Sequence, residues 1–304
     1  SVDATGKEVI DTRKPSLFGY MTDNDMNMFS ISLWKNKDAK KDRDGNTMKD
    51  KDGNTVYKIT FKGNAESLGI KQNVVEIKSS EQGKDSLDDI QDDSTVRVVV
   101  VRSEGPAFSS GHDLNELVNG DTESYASLFA ACTSVMEAIR LSPKPVIAEV
   151  QGLATAAGCQ LVATCDLAIA SETALFATPG VQIGLFCTTP GVALSRAVRT
   201  KKAMEMLLTG TPITANQAVE YGLINRAVPA DKLKGEVKEL ARTISNASAY
   251  TVALGKSAFY RQREMDIPTA YEMAEKVMVE NLLAVDAQEG ITAFLEKRTP
   301  HWTT

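Results

Sequence analysis

The stretch GLATAAGCQLVATCD, residues 152–166, constrains this chain more than any other part of its sequence. Before it, PVIAEV (145–150) is a short apolar run of the kind that forms a strand covered on both faces. That strand leads into Gly152, Ala154, Ala156, Ala157 and Gly158. Side chains this small let a neighbour or a ligand approach the backbone closely. A helix is expected to start near Ala157, and helix N-termini carry unpaired N–H donors and partial positive charge. Such a junction is either tight strand–helix packing or a place where backbone donors stabilise an anion, an enolate oxygen included.

A second unit has the same form. VRVVVVR (96–102) is a β-branched run that reads as a buried strand, and the turn GPAFSSGHDL (105–114) follows it. Tyr125, Leu128, Phe129, Cys132, Val135, Met136 and Ile139 recur at helical spacing, which predicts an amphipathic helix over 122–141. DLAIA (166–170) reads as another short buried strand. Thr214 with Gln217 forms a capping box, and Gly222 a stop. Helical patterns then cover 231–247, 250–263, 268–284 and 286–298. Upstream, VYKITFKG (56–63) and NVVEIK (73–78) read as strands. The class is α/β with a helical C-terminal region; alternation alone also permits a doubly wound sheet. SEGPAFSSG has neither the dinucleotide glycine spacing nor a Walker lysine.

Composition narrows the function. The 304 residues are 42% apolar, enough for a sizeable core in one large domain or two small ones. A net charge of −6 with no basic face argues against nucleic acid as a partner. No apolar run approaches the roughly 18–20 residues that span a bilayer. Cys132, Cys159, Cys165 and Cys187 form neither a zinc-like pair nor a secreted disulfide framework, so no metal is expected and a reducing compartment is the default. The charged segment 35–55 carries the repeat KDRDGNTM, KDKDGNTV, whose Asp-Gly-Asn is turn chemistry at a hairpin tip or in a disordered insertion. Calcium fails on spacing: counting back from Gly45 and Gly53 puts Lys40 and Met48 at the first loop position, and neither twelfth position holds Glu.

Taken together, these motifs resemble the enoyl-CoA hydratase/isomerase (crotonase) superfamily. The likeness continues through FATPGVQIGLFCTTPG (176–191), AMEMLLTGTPITANQAVEYGLINRAVP (203–229) and QEGITAFLEKRTPHW (288–302), from near Ser94 to the end. It implies a ββα spiral core with an α-helical C-terminal trimerisation region. The division would be a divergent N-terminal segment at 1–90, the spiral core at 91–230 and the helical region at 231–304. It implies that the backbone N–H groups of His112 and Ala157 form an oxyanion hole, with Ser110, Gly111 and Gly158 as substrate contacts. Phe294 and Lys297 would help cover the adenine end of coenzyme A, sometimes across subunits. No cofactor is implied beyond the coenzyme A of an acyl-CoA ligand. A homotrimer or hexamer and a mitochondrial location follow from the same likeness. The start, SVDATGKEVIDTRK, reads as neither a signal peptide nor a transit peptide.

The chemistry departs from the family. Hydration of an enoyl thioester requires an oxyanion site and proton-transfer groups, which in the hydratases are two glutamates. Those positions hold Gln160 and Gly180, and neither side chain can act as an acid or base near neutral pH. The acid of dienoyl-CoA isomerases falls at Thr188. His112 within Gly-His-Asp resembles the turn of methylmalonyl-CoA decarboxylases, whose later tyrosine falls near Cys187. Asp113 follows His112 directly and reads as a loop acceptor, since neighbouring side chains on an extended segment point apart. Cys159 and Cys187 lack a visible base and read as packing residues. The family's Asn-Pro…Asn-Ala-Leu loop is missing; NAESL (64–68) is its nearest echo. Three functions stay open: an acyl-CoA enzyme with altered, decarboxylase-like enolate chemistry, a catalytically silent acyl-CoA binder, and an interaction scaffold.

Overall fold

The computed structural model describes residues 17–22, 28–33, 36–39 and 57–60, and the chain from 90 to 303 apart from residues 92, 104 and 105. The strand expected at 73–78, the NAESL segment and both copies of the charged repeat (41–56) lie outside the described residues. The early strands are β1 (Leu17–Thr22), β2 (Met28–Leu33), β3 (Asn36–Ala39) and β4 (Tyr57–Thr60). β3 and β4 pair antiparallel, on either side of the repeat in sequence.

From β5 (Val99–Arg102) the chain repeats one unit three times. A strand enters a large sheet, a shorter strand enters a second sheet, and helix follows. The first unit is β5, β6 (Ala107–Ser109) and α1 (Thr122–Leu141). The second is β7 (Val146–Val150), β8 (Leu153–Thr155) and α2 (Ala157–Thr164). The third is β9 (Leu167–Ser171), β10 (Leu175–Ala177), α3 (Thr188–Ala197) and α4 (Thr200–Thr209). Then come β11 (Ile213–Thr214), α5 (Ala215–Tyr221) and β12 (Arg226–Val228).

The six-stranded sheet has the order β12-β9-β7-β5-β1-β2. Its first four strands are parallel, and β1 and β2 add antiparallel at the other side. The second sheet, β11-β10-β8-β6, is parallel except at β11. This is the ββα spiral. Its core is branched and small apolar side chains: Val98, Val100, Ile147 and Ile169 are buried on one side of the large sheet, Val146, Ala148, Ala170 and Phe176 among the residues on the other. A strand buried on both faces reads as a continuous apolar run, which is why 96–101 and 145–150 stand out in the sequence. β5 is shorter than that run. Val99 N–H donates to Pro145 O at 2.9 Å, but proline has no N–H to return and the ladder begins at Val146. Val96 and Val98 are nevertheless buried.

α1 starts on Asp121, whose side chain accepts from Ser124 N–H in a capping box. α5 starts on the expected Thr214–Gln217 box and stops at Gly222. Four helices complete the chain: α6 (Leu233–Ser245), α7 (Ala249–Gln262), α8 (Ile267–Leu283) and α9 (Val285–Glu296). α6 seals the large sheet with Leu233, Val237 and Ala241. α7 is held by a buried ammonium: Lys256 Nζ donates to Ile139 O and Lys144 O, both at 2.9 Å, and to Asp166 Oδ2 at 2.6 Å. Tyr260 OH and Val146 N–H donate to the same carboxylate. By contrast, Tyr271, Met278, Val279, Leu282 and Leu283 of α8 and Phe294 and Leu295 of α9 are exposed.

Candidate functional site

Two turns meet where β6 and β8 leave the second sheet. At the first, Gly111 has φ +91°, a conformation that side-chain-bearing residues avoid. A Cβ there would lie 3.0 Å from Ala156 Cβ and 3.2 Å from the nitrogen of Ala157, so the small side chains hold the turns in contact. Thr155 Oγ1 donates to Ser110 O at 3.1 Å, and Gly158 presses against Ser109, where a Cβ would fall 2.2 Å from the carbonyl oxygen. Ser110, Gly111, Ala157 and Gly158 are therefore assembled at one place.

At the second turn Ala156 has φ 50° and ψ −119°, a strained geometry for a non-glycine residue. Its N–H donates to Ala177 O of β10 at 3.0 Å, and its carbonyl accepts the first helical bond, from Gln160 N–H at 3.0 Å. No side chain caps α2. The N–H of Ala157 has no acceptor among the described residues, and the helix dipole adds to its positive field. His112 follows Gly111 and is half-buried, its ring edge-on to Phe129 of α1 with centroids 5.4 Å apart. Asp113 is exposed.

The expected acid positions lie deeper. Gln160 is 5% exposed, with Oε1 enclosed and without a hydrogen-bond partner. The Thr178 hydroxyl is buried in the same condition. Gly180 is buried in a 3-10 turn, Pro179–Ile183. A Cβ at Gly180 would lie 2.4 Å from Leu185 O and 2.8 Å from Cys187 Sγ, and Leu185 N–H closes the turn on Gly180 O at 2.9 Å. The loop has contracted into the space where a side chain would stand. Thr188 opens α3 and is exposed. Burial, with Cys187 nearby, pushes the Cys159 thiol up to about 12, so it stays protonated at neutral pH.

A cavity of about 640 Å³ begins at Gln160 and follows the C-terminal half of α2, between α1, α3 and the end of α7. Neither the cavity nor the Asp166–Lys256–Tyr260 network on its border is readable from sequence. The cavity draws on segments far apart in the chain, and the only signal for the network is a lysine inside an otherwise helical pattern. Phe294 is 82% exposed on α9, and Lys297 caps that helix with φ 56°. α9 packs on α7 and α8. Among the described residues, no cluster of three His, Cys, Asp or Glu side chains could hold a metal, and no helix is long and apolar enough to cross a membrane.

The chain is similar to known proteins over most of its length. The sequence profile of the enoyl-CoA hydratase/isomerase family matches residues 52–304. The mouse protein named enoyl-CoA hydratase domain-containing protein 3, mitochondrial, is 53% identical over 209 residues, 68% of this chain and 70% of that protein. Its human counterpart is 53% identical over 213 residues, 70% of each. The crystal structure of the human protein aligns with a TM-score of 0.69 at 50% identity, covering 72% of this chain and 90% of that one. A Mycobacterium smegmatis enoyl-CoA hydratase structure aligns with a TM-score of 0.73 at 47% identity, covering 75% and 89%.

Proposed function

The chain belongs to the enoyl-CoA hydratase/isomerase family, and from that premise we propose that it binds an acyl-CoA thioester without carrying out ordinary enoyl-CoA hydration. The thioester carbonyl is held between the backbone N–H groups of Ala157 and His112. The observation that carries this reading is the uncapped Ala157 N–H, held against Gly111 by contacts too close for larger side chains. Donors fixed before the ligand arrives stabilise a developing enolate without reorganisation, and losing one typically costs about 3–4 kcal/mol of barrier. Proton transfer is the missing half. Gln160 does not titrate near neutral pH, and Gly180 is packed against Leu185 and Cys187.

A second reading, decarboxylase-like enolate chemistry, is favoured by the same combination of donors without acids, because that reaction removes no α-proton. His112 packs its ring on Phe129 and serves through its backbone. Coenzyme A enters only as part of the ligand, with no other cofactor. Phe294 and Lys297 cover its adenine end from a neighbouring subunit of a trimer or hexamer, a role that the exposure of Phe294 supports. A mitochondrial role in acyl-CoA metabolism is supported by relatives that are named mitochondrial.

Ala157→Val tests the site through sterics. It is expected to abolish acyl-CoA binding in calorimetry while circular dichroism stays native, whereas Gln160→Ala keeps binding. A folded Ala157→Val protein that binds as well as wild type would remove this turn from the site and leave the scaffold reading.

A further inference from the structure

The Gln160 side chain is 5% exposed, and Oε1 has no partner. Among the described residues no oxygen accepts from its Nε2 either. A buried polar group left unpaired loses its hydration without compensation, so native structures rarely keep one without a partner from outside the chain. Gln160 borders the cavity of about 640 Å³, a volume within the range of small-molecule sites. At a rise of about 1.5 Å per residue, Gln160 stands roughly 4.5 Å along the α2 axis from Ala157, and Thr164 roughly 10 Å. An acyl chain anchored by its carbonyl at Ala157 thus passes Gln160 before reaching the cavity walls, which include Met136, Val192, Ile224 and Phe259.

The chemistry of the amide selects the group that meets it. A primary amide presents both an acceptor and a donor. An alkyl chain satisfies neither, and a carboxylate, which only accepts, leaves Oε1 unpaired. A hydroxyl donates and accepts. We infer that the acyl group taken by this cavity is hydroxylated, its O–H donating to Gln160 Oε1 and its apolar remainder lying against Met136, Val192 and Ile224. This rests on the acyl-CoA reading above and adds the substrate class and the residue that selects it.

Calorimetry with hexanoyl-CoA and its 3-, 4- and 5-hydroxy forms, on wild type and Gln160→Leu, tests the inference. At least one hydroxy form is expected to bind wild type about tenfold tighter than hexanoyl-CoA. Gln160→Leu should erase that preference and bind hexanoyl-CoA as well as wild type or better; Gln160→Met carries the same comparison if the leucine variant does not fold. Equal wild-type affinity for all four ligands overturns the inference, since ordered water then satisfies the amide. A preference that survives in Gln160→Leu also overturns it, by placing the hydroxyl elsewhere. If none of the four binds, the acyl-CoA reading itself falls, and this inference with it.

Discussion

Restoring the two absent glutamates should not make this protein a hydratase, and Gly180 is the reason. The Cβ of any substituted residue would stand 2.4 Å from the Leu185 carbonyl oxygen and 2.8 Å from Cys187 Sγ. The first is a backbone atom, so relief requires moving the 180–187 loop and loosening the Leu185 N–H bond to Gly180 O. Overpacking of this kind costs about 1–3 kcal/mol, and the bond about 1 kcal/mol more. Gly180→Glu should therefore destabilise by about 2–4 kcal/mol, a fall of roughly 4–16 °C in Tm for a chain of this size. Gln160→Glu puts a carboxylate in an enclosed position without a partner, where burial raises its pKa. The assay is loss of enoyl absorbance from crotonyl-CoA, with thermal unfolding followed in parallel. Wild type should hydrate at least about a thousandfold slower than a true hydratase, in line with the roughly 10²–10⁴-fold contribution of general acid–base groups. The double variant should gain less than about tenfold. A double variant with wild-type Tm and a hydratase-like rate would refute the argument, because the loop would then have room for the acid.

Other expectations follow from the helices. Light scattering after size exclusion should give three or six chain masses at micromolar concentration, because the apolar side chains of α8 and α9 are uncovered; a clean monomer would contradict it. Lys256→Met should lower stability by about 3–5 kcal/mol in urea unfolding, since it leaves the Asp166 carboxylate buried without its cation; a loss below about 1 kcal/mol would mean that Tyr260 and Val146 suffice. Arg298 and the His301 N–H hold the Glu289 carboxyl at about 2, below its unfolded value of about 4.3. A depressed acid contributes stability that is full above the unfolded pKa and is lost as pH falls through the folded one. Glu289→Gln should therefore flatten the fall of Tm between about pH 4.3 and 2, and an unchanged slope would argue against the coupling.

Much of the fold was legible because it follows local rules. α1 spans the residues that its spacing predicts, and α6 to α9 lie within about two residues of theirs, their starts and stops set by caps and glycines. The second sheet was not legible. β6, β8 and β10 have three residues each, too few for an alternation to register. Nor does spacing alone fix burial: Phe129 belongs to the α1 stripe yet is 38% exposed, because burial depends on what covers a face. At the site, the run of small residues at 152–158 signals close approach. It does not reveal that Gly111 is the neighbour, that Gly180 has been overrun by its own loop, or that Gln160 opens onto a cavity. Those facts come from segments that meet only in three dimensions.

The Lys256 contacts also set an order of events during synthesis. Asp166, on which Val146 N–H depends, lies 90 residues upstream of its ammonium, and the Ile139 carbonyl lies 117 residues upstream. At roughly 5–20 residues per second, the ribosome needs about 5–18 s to span the shorter interval. Throughout that time a nascent spiral already holding β7 and α2 carries an uncompensated carboxylate at the start of β9. The seam between α1, β7 and β9 thus waits for α7, and a chain cut before residue 256 lacks the cation that closes it.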